Sequence, residues 1–148
     1  MIKFRAATVE DFALVNSFLS KDDLLNPESA FDIMSHDHSY VILYTEKEYQ
    51  KLIKKNTVLI AFEGEKELAV FKLTNSNGRY RVLSCMTNTN SFDENKLVLK
   101  ELLSYEAFAS SDLCIETEDL EIQNYLLSLG FTRKRGNFFH STYFVFCR

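Results

Sequence analysis

One stretch of the chain, CMTNTNSFDENKLVLKELL at residues 85–103, has the pattern of a strand end, a short loop and a helix. The start of a helix that follows a strand can bind an anion, because its first N–H groups have no partner within the helix. A phosphate group is the ligand that such a position would take. The chemistry open to this chain therefore depends first on whether that helix start is free.

Side chains in the same stretch are suited to cap this helix. Ser91 and Glu94 have the spacing of a capping box, in which each side chain accepts from the other residue's N–H. Asp93 and Glu94 also place two negative charges in the first turn, where they would repel a phosphate. We therefore expect the helix start to be capped by its own residues.

A second polar cluster, SHDHS, contains His36 and His38 with Asp37 between them and Asp32 upstream. In an extended segment such alternate residues share a face, so the two imidazoles have a spacing that suits a metal ion. A third ligand at a recognisable spacing is missing from the sequence, and we therefore predict no metal site.

The composition is that of an ordinary globular protein, with 148 residues, 46% hydrophobic residues and a single proline. We expect one domain spanning residues 1–148, and thirteen Phe with seven Tyr predict a core rich in rings. The net charge of −4 argues against a general nucleic-acid binder. Without an apolar run that could form a signal peptide or a membrane span, the sequence predicts a cytoplasmic protein that does not bind membranes.

The three cysteines, Cys85, Cys114 and Cys147, each lie in an apolar, strand-like segment, and no pair has the spacing of metal ligands. We expect them to be buried, reduced thiols.

Hydrophobic periodicity gives the element order. It predicts a strand at 2–6, a helix capped by Thr8, a loop or short helical turns over 21–39, a buried strand at 40–44, and a helix opened by a Thr45/Glu48 capping box. A three-stranded meander follows, with turns at Gly64 and Asn77-Gly78. The remaining predictions are a helix over 92–109, a strand at 113–115, a helix over 121–129 ended by Gly130, and two strands around a turn at Gly136-Asn137.

This order, together with MIKFRAATVEDFALVNSFL, VLIAFEGEKELAVFKL and IQNYLLSLGFTRKR, resembles the GNAT superfamily of N-acetyltransferases. The resemblance implies an α/β (α+β) fold with a mixed, mostly antiparallel central sheet and helices on both faces. It also implies transfer of an acetyl group from acetyl-CoA to an amine, carried by a small molecule or a protein. The segment between the first two helices would then overlie the acceptor pocket.

The stretch that matches the family's pyrophosphate loop is degenerate. Members use Arg/Gln-x-x-Gly-x-Gly/Ala, whereas NTNSFDEN at 88–95 has no glycine and no arginine. The resemblance assigns cofactor contacts to Asn95 in this stretch and to Asp119, which capping of the next helix explains equally well. It assigns further contacts to the backbone of the splayed strand, at Cys85, Met86 and Thr87.

Three residues are candidates for proton transfer. Aligning Leu-Gly-Phe at 129–131 with the family places Tyr125 one residue before its usual tyrosine, a rotation of about 100° on a helix. Glu116 is the nearest matching carboxylate, and His140 has an imidazole that can accept a proton near neutral pH. For each residue a structural role is the alternative.

Two functional hypotheses remain open. The first is an acyl-CoA-dependent N-acyltransferase that acts by positioning the amine and polarising the thioester carbonyl with backbone N–H groups. The second is a catalytically inactive binding or regulatory module that does not bind acetyl-CoA. The basic run RKR at 133–135 is a solvated strand end or a site for an acidic ligand or protein partner.

Overall fold

The computed structural model describes residues 1–21, 23–25, 43–55, 57–76, 79–88, 91–108, 111–135 and 142–147. Seven strands lie in this part of the chain: β1 Lys3–Ala6, β2 Val58–Glu63, β3 Lys66–Ser76, β4 Arg79–Thr87, β5 Asp112–Glu116, β6 Thr132–Arg135 and β7 Thr142–Phe146. The α-helices are α1 Phe12–Phe18, α2 Glu46–Lys54, α3 Phe92–Leu102 and α4 Leu120–Ser128. None of the helices described is long and apolar enough to cross a membrane.

The strands form one sheet in the order β1-β2-β3-β4-β5-β7-β6. Every neighbouring pair is antiparallel except β4 with β5, which is parallel. The predicted meander and the mixed, mostly antiparallel sheet are confirmed.

Helices pack on both faces of the sheet, as predicted. Alternation along the strands directs Ile60, Val70 and Met86 to one face, where they form a cluster with α1 and α2 residues. The neighbouring positions direct Phe71 and Cys85 to the other face, where the main core includes residues of α3 and α4.

The first strand is tied to the start of the first helical segment by Asp11. Arg5 donates to both carboxylate oxygens of Asp11, at 2.6 and 2.8 Å, and the Thr8 N–H donates to Asp11 Oδ2 at 2.8 Å. The Arg5 guanidinium lowers the pKa of Asp11, aided by the Thr8 hydrogen bonds and opposed by burial. The bond from Thr8 N–H to Asp11 is one arm of a capping arrangement at Thr8, which opens a short 3-10 helix, Val9–Asp11, before α1.

The predicted helix over 92–109 is wrong at its C-terminal end. The α-helix ends at Leu102, and a short 3-10 helix, Glu106–Phe108, follows. Short i→i−3 bonds, such as Tyr105 N–H to the Leu102 carbonyl, turn the chain back. This turn buries Phe108, which contacts Tyr80 with ring centroids 4.6 Å apart. Core packing of the rings therefore ends the helix early.

Two further predictions need correction. Leu43 and Tyr44 are not in a strand, because the Tyr44 backbone pairs with the side-chain amide of Asn16, at 2.9 and 3.1 Å. Cys147 is exposed, since it follows the last residue of β7, whereas Cys85 and Cys114 are buried as predicted and all three are free thiols. Several features of the sequence analysis lie outside the described residues. These are the polar cluster of Asp32, His36, Asp37 and His38, residues 40–42 of the predicted strand, and the turns at Asn77-Gly78 and Gly136-Asn137.

Candidate functional site

In the middle of the sheet, β4 continues to Thr87 beyond the last residue that pairs with β5, and we call this end of the pairing the divergence of β4 and β5. Their parallel pairing runs from Arg79 with Asp112 to Val82 with Ile115. At that point β4 has a bulge: Val82 pairs with Leu73 and Ser84 with Lys72, so Leu83 has no partner on β3. A bulge increases the local twist of a strand. Beyond it, β4 continues to pair with β3, and its other edge is available to a third piece of chain.

Residues 23–25, hereafter the inserted segment, lie on that edge. Asp23 forms an antiparallel bridge with Met86. The Leu24 N–H donates to the Cys85 carbonyl at 2.8 Å, and the Cys85 N–H donates to Asp23 Oδ1 at 3.1 Å. Both backbone hydrogen-bonding groups of Cys85 are therefore engaged by the inserted segment.

The same segment is held on the β5 side by Thr117. The Thr117 hydroxyl, which follows β5 directly, donates to the Leu25 carbonyl at 2.6 Å in a buried environment. The Leu25 side chain is fully buried in the main core. Burial of a leucine contributes about 1.5–3 kcal/mol. The inserted segment thus bridges the two diverging strands and also packs into the core beneath them.

Burial explains why this edge needs a partner. Cys85 has no exposed surface, and a buried N–H or C=O without a hydrogen bond costs roughly 1–3 kcal/mol. Asp23 supplies the acceptor through Oδ1, which also accepts from the Leu25 N–H at 3.1 Å. Burial raises the pKa of the Cys85 thiol well above its usual value, with a smaller contribution from Asp23. A neutral, buried thiol is not a nucleophile.

The start of α3 is capped by its own side chain. Ser91 Oγ accepts from the Glu94 N–H at 3.4 Å, which confirms the first arm of the predicted box. The reciprocal bond to the Glu94 carboxylate stays a prediction. Asp93 and Glu94 lie in the first turn and are exposed, while Asn95 is buried within the helix. The described residues of the first turn include no basic side chain, and the nearest ammonium in the helix, Lys96 Nζ, contacts the Phe92 ring at 4.5 Å.

The acidic residue at the start of α4 is also engaged in capping. Asp119 Oδ1 accepts from the Ile122 N–H at 3.0 Å, and the Asp119 N–H donates to Thr117 Oγ1 at 3.2 Å. This arrangement links the α4 cap to the same Thr117 that holds the inserted segment. Asp119 therefore stabilises the helix start by the capping alternative that its position suggests.

Tyr125 faces α3. Lys96 Nζ lies 5.5 Å from the centroid of the Tyr125 ring and 4.5 Å from that of Phe92, so one ammonium contacts two rings. Burial raises the pKa of Tyr125, and the nearby Glu101 charge adds to the shift. These contacts hold α4 against α3.

Glu116, at the end of β5, forms an ion pair with Arg81 of β4. Arg79 and Asp112 form a second pair between the same strands, at 3.6 Å. The Glu116 carboxylate thus joins the parallel strands at the point where their pairing ends. His140 lies outside the described residues. Glu116 and Asp119 therefore both lie close to Thr117. The two described candidates for proton transfer have different partners, because Tyr125 contacts Lys96 and Glu116 pairs with Arg81.

Three residues that determine this arrangement, Asp23, Leu25 and Thr117, have no local signal in the sequence. Asp23 and Leu25 fall in the aperiodic loop after α1, and Thr117 falls in the polar run between β5 and α4. Their contacts join positions 62 and 92 residues apart. Only a knowledge of which strands diverge would have identified them.

Neither a protein-family model nor a curated protein sequence matches this chain. Several solved protein structures do match its fold. The PaiA N-acetyltransferase from Thermoplasma acidophilum, in complex with coenzyme A, superposes with a TM-score of 0.66 at 10% identity, over 100% of this chain and 99% of that one. A GNAT-family acetyltransferase from Streptococcus pneumoniae gives 0.63 at 17% identity, over 98% and 96%. The ribosomal-protein-S18-alanine N-acetyltransferase from Escherichia coli gives 0.61 at 11%, over 98% and 91%.

The chain therefore has the fold of the GNAT N-acetyltransferases over its whole length. At these identities the structural similarity establishes the fold and leaves activity to be judged from the site.

Proposed function

We propose that this chain is a catalytically inactive GNAT-fold binding or regulatory module, whose acyl-CoA slot is closed by its own residues. The observation that carries the proposal is the engagement of both backbone groups of Cys85 by Asp23 and Leu24. In the fold family this edge of the fourth strand offers its backbone groups to the pantetheine amides. A strand edge accepts one extended partner at a time.

The helix start supports the same conclusion from a second direction. The α3 N-terminus carries Asp93 and Glu94 in its first turn, and its Glu94 N–H is satisfied by Ser91. An anion arriving there meets two carboxylates and one fewer free donor. The described residues at this helix start therefore do not fit the pyrophosphate of CoA, and the β4 edge, which is already occupied, does not fit its pantetheine arm.

The second candidate function is an acyl-CoA-dependent N-acetyltransferase acting on an amine. It is favoured by the divergence of β4 and β5 after Val82 and Ile115, and by the bulge at Leu83, which together keep the geometry of a slot. This function requires displacement of the inserted segment. If the inserted segment is displaced, the burial of Leu25 and the hydrogen bonds at Cys85 and Thr117 are lost.

Calorimetric titration of the full chain with acetyl-CoA, and separately with CoA, tests the proposal. We expect a dissociation constant of about 100 µM or weaker, equivalent to a binding free energy of about −5.5 kcal/mol or less favourable. Titration at low and at moderate salt separates screening of the two carboxylates from closure of the slot, because only the first responds to ionic strength. Sub-micromolar binding at either salt concentration would overturn the proposal in favour of the acetyltransferase.

A further inference from the structure

We infer that the inserted segment, residues 23–25, is an autoinhibitory strand: its contacts with Cys85 and Thr117 close a slot that would otherwise take an extended amide chain. This inference rests on the proposed function and names the contacts that produce it. It assigns the closure to one short segment rather than to a general loss of the slot.

The geometry of the bridge is that of strand addition. The inserted segment runs antiparallel to β4 and donates the Leu24 N–H to the Cys85 carbonyl. Main-chain groups of this kind do not distinguish a polypeptide from another chain of amides. A pantetheine arm, which contains two amides, is chemically equivalent at this edge and therefore competes directly with the inserted segment.

Among the described residues, the contacts that hold the inserted segment involve few groups, and these can be altered. Asp23 Oδ1 accepts from both the Cys85 and the Leu25 N–H groups, so one oxygen fixes the turn of the segment and its attachment to β4. The Leu25 side chain is the apolar anchor, and Thr117 holds the Leu25 carbonyl from the β5 side. Because β4 pairs with β3 along its other edge, removing these contacts leaves the central sheet in place.

Closure lowers affinity by reducing the fraction of molecules that are competent to bind. The apparent dissociation constant equals the intrinsic constant divided by the open fraction. Variants that raise the open fraction must therefore tighten binding by the same factor. This sign distinguishes release of an autoinhibitory contact from general damage, which weakens binding.

The probe for the test is S-acetylpantetheine, which carries no phosphate, so that the charge at the α3 start has no influence. We expect the variant Asp23→Ala with Leu25→Ala to bind it about ten-fold or more tightly than the unaltered chain. Asp23→Asn keeps an acceptor oxygen at Oδ1 and should bind as weakly as the unaltered chain. Val15→Ala, at a buried position in the cluster on the opposite face of the sheet, serves as the control for lost stability.

Thr117→Val opens the segment from the β5 side without altering residues 23–25, and it should also tighten binding of S-acetylpantetheine. If circular dichroism shows that the double variant is not folded, Thr117→Val provides the test instead. Unchanged binding in the folded release variants, or an equal gain in Val15→Ala, would overturn the inference while leaving the proposed function intact. Sub-micromolar binding of acetyl-CoA to the unaltered chain would instead overturn the proposed function.

Discussion

The Thr117 hydroxyl donates a hydrogen bond of 2.6 Å to the carbonyl oxygen of Leu25, a residue 92 positions earlier in the chain. The bond is buried, and it connects the end of β5 to a segment that is also bonded to β4 at Cys85. Two strands that diverge from each other are thus rejoined through a third piece of chain. Under the proposed function, this connection is what closes the slot and makes it part of the core.

The pH dependence of stability should depend on Asp11. Its pKa is lowered in the folded chain by Arg5, so the stabilisation is present above the unfolded pKa of about 4 and is lost as the pH falls through the lower, folded value. Because the Arg5 side chain is 41% exposed, we expect Asp11→Ala to cost only about 1–2 kcal/mol at pH 7.

Urea unfolding at pH 7 and at pH 2 measures this effect. The loss caused by Asp11→Ala should be smaller at the lower pH, because the stabilisation by the ion pair is lost as the pH falls through the folded pKa of Asp11. Val9→Ala, at an exposed neighbouring position, should show no such difference. An equal loss from Asp11→Ala at both values would show that the ion pair is not its cause.

The two N-caps at Thr45 and Ser91 should differ in strength. At α2 both arms of the box are formed, with Glu48 N–H to Thr45 Oγ1 at 3.2 Å and Thr45 N–H to Glu48 Oε1 at 3.1 Å. At α3 the Ser91 bond is longer, at 3.4 Å. We expect Thr45→Ala to cost about 1 kcal/mol and Ser91→Ala about 0.5 kcal/mol.

Chemical denaturation of the two variants under identical conditions gives the comparison. Ser20→Ala, at an exposed position after α1, is the control and should change the free energy of unfolding by less than about 0.5 kcal/mol. A larger loss at Ser91 than at Thr45 would mean that the α3 cap has partners stronger than the bond to Glu94.

Local signals were sufficient to predict most of the fold. The Thr45/Glu48 spacing identified the start of α2, and Gly130, with φ of +101°, ends α4 in the conformation that its position suggested. The Phe131 N–H bonds back to the Leu126 carbonyl across this glycine, as in a Schellman motif. Each of these features depends on residues close together in the sequence.

The site could not be predicted in the same way. The sequence indicated that Ser91 would cap α3, because cap and helix are adjacent, but it gave no indication that Asp23 would bind Cys85. That contact arises only because β4 diverges from β5 and leaves a buried edge that must be satisfied. The prediction of where α3 ends was wrong for a related reason, because packing of Phe108 against Tyr80 decides where the helix stops.

The measurement that tests the central claim most directly is amide hydrogen exchange at Cys85 in the full chain. If Asp23 accepts from this N–H, exchange in the unaltered protein should be slower than in Asp23→Ala by about five-fold, since a net hydrogen bond contributes roughly 1 kcal/mol. The amide of Val70, in a strand paired on both sides, is the internal reference and should exchange equally in both proteins. A Cys85 amide that exchanges at the same rate in the two proteins would contradict closure of the slot by residues 23–25.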